Sequence, residues 1–152
     1  MTKTRKKIDQ LAGGSLVIIM SAMVINVLWQ VITRFLGIPS SFTDELARYL
    51  MIWLGVLGAA YASGKKLHVA IDLISQRVSK KRLLIVKKTV NLLIIAFCFF
   101  ALVIGGIRLV VLTLQLGQTS PALQIPLGWV YVIIPISGLL VIYYKLYELK
   151  NP

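Results

Sequence analysis

Five charged residues stand where so apolar a chain can least easily solvate them. Asp44, Glu45 and Arg48 open the run DELARYLMIWLGVLGAAYASG, and Arg34 and Arg108 lie inside two other apolar runs. Acids and arginines so placed can carry a proton or cation, or they can pair across helices. Charge near lipid is costly, so ionisable residues inside apolar segments point to function or to an interface. Further along, His68 and Asp72 are spaced i, i+4 and can pair on one helical face. His68 is the single histidine, so the partners of a metal site are missing and a structural hydrogen bond is the better reading.

The elements that must position these residues are helices in a membrane. Of the 152 residues, 58% are hydrophobic and only 14% charged, too few charges for a soluble domain of this length. Four long apolar runs indicate an all-α integral membrane protein with four transmembrane helices. The spans are expected at residues 11–36, 43–64, 89–116 and 129–147, in one membrane domain covering 1–152. The N-terminus imitates a signal peptide, but its apolar stretch continues to Leu36, so a retained helix is expected. Cys98, the one cysteine, excludes an intrachain disulfide.

The net charge of +12 does not indicate nucleic acid, because the basic residues cluster at the ends of apolar runs. Lys3, Arg5, Lys6 and Lys7 precede the first run, and Lys65 to Lys88 is a basic break between the second and third. Lys145 and Lys150 lie at the C-terminal end, while the other two connections carry no Lys or Arg. This bias places both termini and the central break in the cytoplasm. Within the break, Leu67, Ala70, Ile71, Ile74 and Val78 keep a helical period. They predict an amphipathic helix over about 67–80, lying on the cytoplasmic side of the membrane.

Finer features are also expected. Asn26, Gln30 and Arg34 share one face of span one and should meet protein. Ser41 and Asp44 have the spacing of a capping box. Gly55, Ala59 and Ser63, with Gly58 and Ala62, predict close helix approach. Pro135 should kink span four, and Trp129, Tyr131, Tyr143, Tyr144 and Tyr147 have the placing of interfacial belts. Arg34, Asp44, Glu45, Arg48 and Arg108 all fall in the outer part of the bilayer, where a charge network, within the chain or with another subunit, is expected. Glu45 and Arg108 are candidate partners.

The run Asp44-Glu45-Leu46-x-Arg48-Tyr49-Leu50, then Trp53, Gly58-Ala59 and His68-Val69, resembles the small membrane subunit of TRAP (tripartite ATP-independent periplasmic) transporters, the DctQ-like small permease. A second block agrees: Ser120-Pro121-x-Leu123-x-x-Pro126-x-Gly128, then Tyr131 and Pro135. With the span count, the resemblance covers nearly the whole chain. It implies an accessory subunit in the bacterial inner membrane. Its partners would be a large multi-span subunit carrying substrate and sodium, and a periplasmic binding protein delivering an organic acid such as a sialic acid or C4-dicarboxylate. The chain ends soon after span four, which suggests a separate large subunit.

The residues agree with that division of labour. No discontinuous helix pair marks a transport site, and no acid sits at mid-membrane to carry a cation. A stand-alone four-helix exporter is the alternative, but the small multidrug exporters depend on a mid-membrane acid that span one lacks. A bis-histidine haem anchor needs a second histidine. No nucleophile–base set, phosphate loop or metal signature marks an enzyme, and no cofactor is expected.

Overall fold

The computed structural model describes residues 3–38, 40–65 and 80–150. Helix α1 spans Lys3–Phe35 and α2 spans Ser41–Gly64. Helix α3, Lys80–Phe97, passes through a π-helical segment, Cys98–Ile104, into α4, Gly105–Gln115. A short α5, Leu127–Tyr131, precedes α6, Ile133–Lys150. These elements supply four candidate membrane spans, Arg5–Phe35, Ser41–Gly64, Leu83–Gln115 and Leu127–Lys150. The first, at 31 residues, is about 46 Å long at 1.5 Å per residue and exceeds a hydrocarbon core of about 30 Å. Helices therefore run past the apolar limits read from sequence at their basic ends. The expected amphipathic helix, with His68 and Asp72, lies outside the described residues.

The spans pack in a row. Span one lies on span two, span two on span four, and span four on span three. Such a row encloses little. Only 11% of the best apolar window of span one is buried, against 39% for span four. The buried core is small, centred on Ala60, Cys98 and Val141 from three spans. Most large apolar side chains face outward, as a bilayer permits.

Small residues set the closest contacts, though not the expected ones. Gly55 has open space around it and Ala59 is exposed, while Ser63 of the same stripe is buried. Gly58 meets only Leu16. The close approach is one register over: Ala60 is fully buried, and a Cβ on Gly64 would lie 2.6 Å from the Tyr144 ring. On span four, a Cβ on Gly138 would lie 2.8 Å from Leu102 Cβ in the π segment. A Cβ on Gly106 would lie 2.9 Å from Cδ of Pro135. The helix of span four breaks at Val132, just before Pro135, and the Val130 carbonyl in the broken turn accepts the Trp53 indole N–H at 2.9 Å. The kink thus gives span two a polar handle on span four.

Gly64→Ala is expected to lower the unfolding midpoint in detergent, because backbone-borne Cβ and ring cannot share the space. Gly55→Ala, with open space around it, should be neutral or stabilising by up to about 1 kcal/mol. Equal losses at both sites would contradict this packing.

Candidate functional site

Polar side chains gather at the two ends of the row. The loop end holds the 116–126 connection and the start of α2, and the other, terminal end holds the start of α1 and the end of α6.

At the loop end the centre is Glu45. It sits on the second turn of α2, facing the 116–126 connection. One carboxylate oxygen, Oε2, accepts the Ser120 hydroxyl at 2.5 Å and the backbone N–H groups of Ala122 and Leu123, each at 2.9 Å. The other, Oε1, accepts the Tyr49 hydroxyl at 3.0 Å from one turn below. Tyr49 thereby holds the carboxylate in its rotamer while the loop closes on it. The loop has its own frame. Ser120 N–H donates to the Ile125 carbonyl at 2.9 Å, and Gln124 N–H to the Ser120 carbonyl at 3.0 Å. Gly117 and Gln124 turn the chain with φ of +60° and +56°. The first suits glycine, while the second costs a side-chain-bearing residue strain that the surrounding bonds must hold. Ser120 is fully buried under this frame.

Asp44, the neighbouring acid, is exposed and turned the other way, accepting the Gln30 amide of α1. It does not cap its helix. The N-cap is Ser40, without a side-chain cap, and Thr43 Oγ1 donates back to the Ser40 carbonyl at 2.8 Å. Asn26, one turn before Gln30, donates to the Thr43 carbonyl at 2.8 Å and is buried. Two of the three residues expected to share a packing face on span one therefore do meet span two. The third, Arg34, is exposed.

Among the described residues, the five expected charges do not join one another in ion pairs. Arg34, Arg48 and Arg108 are all exposed, and among the described residues none is within ion-pair distance of a carboxylate. Arg108 points away from span four, on the side of α4 opposite the buried Gly106 and Thr113. The Glu45–Arg108 pairing expected within the chain gives way to a physical competitor. Three loop donors at an apolar boundary need an acceptor, and Glu45 supplies it.

The terminal end carries a second cluster that the sequence reading passed over. Asp9 of α1 is buried, and its Oδ1 accepts the Tyr144 hydroxyl of α6 at 2.8 Å. Its Oδ2 meets Lys65 Nζ, just past α2, at 3.4 Å. Arg5 donates to the Gly64 carbonyl at 2.8 Å, capping the C-terminus of α2, and lies 4.6 Å over the Tyr147 ring. Hydrogen bonding to the Tyr61 hydroxyl raises the Lys65 pKa above the usual lysine range. Desolvation partly opposes this, and Asp9 adds to the rise. A raised lysine pKa stabilises the fold below the ordinary lysine value, so this contribution is complete at neutral pH and fades only in strong alkali. Tyr144, read as part of an aromatic belt, is 3% exposed and instead joins spans one and four across the end of span two. One signal in the sequence could have shown this: Asp9 is an acid within a basic tail, one turn from Arg5.

Four apolar spans, a loop clasped at one end and a basic cluster tied at the other describe a multi-pass α-helical membrane protein. The family model "Tripartite ATP-independent periplasmic transporters, DctQ component" matches residues 23–151, and the chain belongs to that family. It is 31% identical to a putative TRAP transporter small permease protein of Haemophilus influenzae, over 81% of this chain and 75% of the relative. It is 27% identical to the sialic acid TRAP transporter small permease protein SiaQ of Vibrio cholerae, over 97% of this chain and 84% of the relative. A third relative, the isethionate TRAP transporter permease protein DctMQ of Oleidesulfovibrio alaskensis, is 27% identical over 78% of this chain. The chain spans 20% of that longer protein.

Tyr144→Phe removes the donor to buried Asp9 and should cost about 1–3 kcal/mol of stability, read as a lower denaturation midpoint in detergent. Tyr143→Phe, one residue away, should cost much less. Equal effects would show that the Tyr144 hydroxyl is not holding Asp9.

Proposed function

We propose that this chain is the small accessory subunit of a sodium-coupled secondary transporter that imports an organic acid delivered by a periplasmic binding protein. It has no catalytic role and does not hold the main substrate site. Both termini lie in the cytoplasm, and the Glu45-clasped loop faces the periplasm. Relatives named for sialic acid and isethionate support the substrate class. The match to a fifth of a longer permease supports a larger membrane partner.

The observation that carries the reading is the state of Arg48 and Arg108. Each lies about 10 Å inside its helix from the loop end, at about 1.5 Å per residue. Each is exposed, and among the described residues neither is within ion-pair distance of a carboxylate of this chain. Lipid is a poor neighbour for such charges. A large subunit that covers these faces and offers acceptors gives them a reason to be there. Arg34, Asp44, Glu45, Arg48 and Arg108 then serve as a charge level shared between subunits, with Glu45 holding the loop in place.

Arg48→Ala and Arg108→Ala are each expected to reduce recovery of the large subunit with the tagged chain, while membrane insertion is kept. Reporter fusions at Lys80 and Gln118 should fall on opposite sides, with Gln118 outside. Reconstituted alone with a sodium gradient, the chain should take up no organic acid. Full recovery of the complex with both arginines replaced, or uptake by the chain alone, would overturn the accessory reading.

A further inference from the structure

An open apolar groove of about 410 Å³ runs between α1 and α6, floored by Leu57 of α2. Ile8, Leu11 and Ser15 form one wall, and Leu139 and Tyr143 the other. At the terminal end the walls are joined, because Tyr144 and Asp9, the next residues to Tyr143 and Ile8, are hydrogen-bonded at 2.8 Å. A transmembrane helix is about 10 Å across and cannot follow the groove to that tied end. A single acyl chain can.

Charge adjoins the groove. Lys3, Lys7 and Leu11 are spaced i, i+4, i+8 and form one stripe of α1, so Lys7 lies one turn beyond the groove wall. Lys3, Lys6 and Lys7 are exposed. The described acids at this end are already engaged, Asp9 with Lys65 and Glu148 with Lys145. Among the described residues no carboxylate is therefore left for the lysine stripe. Basic clusters at the cytoplasmic ends of spans attract anionic headgroups, and pockets between helices hold them.

We propose that the groove and the Lys3–Lys7 stripe hold one anionic phospholipid, its phosphate on the lysines and one acyl chain along the groove. Its placing in the cytoplasmic leaflet rests on the orientation proposed above. The lipid then fills the gap that the row of helices leaves between spans one and four. It gives the assembled transporter a dependence on anionic lipid.

The test uses the complex with its large subunit in symmetric phosphatidylcholine–phosphatidylglycerol nanodiscs. A trace of photoactivatable phosphatidylglycerol or phosphatidylcholine is added, and crosslinks are mapped by peptide mass spectrometry. Phosphatidylglycerol should label the 8–15 and 139–143 segments roughly tenfold or more above phosphatidylcholine. Lys3→Gln with Lys7→Gln should remove that preference while the complex still forms. Ser15→Trp, which fills the groove from an exposed position, should lower labelling by both lipids. Equal labelling by the two lipids in the native complex would overturn the proposal. So would absence of label from both segments, which would show that protein covers the groove. A symmetric bilayer makes the result independent of orientation, so reversed reporter fusions would move the leaflet and leave the labelling standing.

Discussion

Three hydrogen-bond donors of the 116–126 connection converge on one oxygen of Glu45. The loop end of the molecule depends on that convergence. The connection carries no charge of its own and joins two apolar spans, so its backbone N–H groups have little water and no ladder partner. A carboxylate on the neighbouring helix satisfies two of them and the Ser120 hydroxyl together. Once the loop is fixed, α5 enters the bundle at a set angle, and the carbonyl freed by the break before Pro135 comes within reach of Trp53. Span two thus grips its neighbour at this end twice, the third connection through Glu45 and the start of span four through Trp53. Both grips are polar, which suits a protein whose helices gain little from burying apolar surface against one another.

The terminal end repeats the logic with opposite charge. Basic residues dominate there, and Asp9 and Glu148 are each matched to a lysine. Asp9 is buried because Tyr144 crosses the end of span two at Gly64, where no side chain obstructs it. Arg5 then takes the last carbonyl of α2. Spans one, two and four are tied at this end by hydrogen bonds, and along their length by small residues rather than by a broad core. A row held in this way leaves wide apolar faces uncovered by the chain itself.

Much of this was legible in the chain. Apolar runs of spanning length gave the four helices, because the bilayer permits few alternatives. The Asp44–Glu45–Arg48 opening stood out in the chain too, but the partners that Asp44 and Glu45 take did not. Helical periodicity shows which residues share a face, not which neighbour that face meets. Glu45 was therefore matched to the nearest opposite charges, when the stronger demand came from backbone donors in a loop that carries no charge. The small-residue stripe, of which only Ser63 is buried, was partly misplaced for a similar reason. Gly55–Ala59–Ser63 and Ala60–Gly64 both satisfy the i, i+4 pattern, and only the position of span four selects the second. The π segment has no sequence signature. It appears where Gly138 lets span four press against Leu102 and Val103. Asp9 and Tyr144 lie 135 residues apart, and no local pattern joins them.

The central claim is that the Glu45 carboxylate holds the third connection through Ser120. A double-mutant cycle tests it most directly. Glu45→Gln, Ser120→Ala and the double variant would be compared with the native chain by thermal denaturation of the detergent-solubilised complex. If the two side chains act through one another, the double variant loses little more than the worse single variant. Losses that add in full would contradict the account and show that Glu45 and Ser120 stabilise the protein independently.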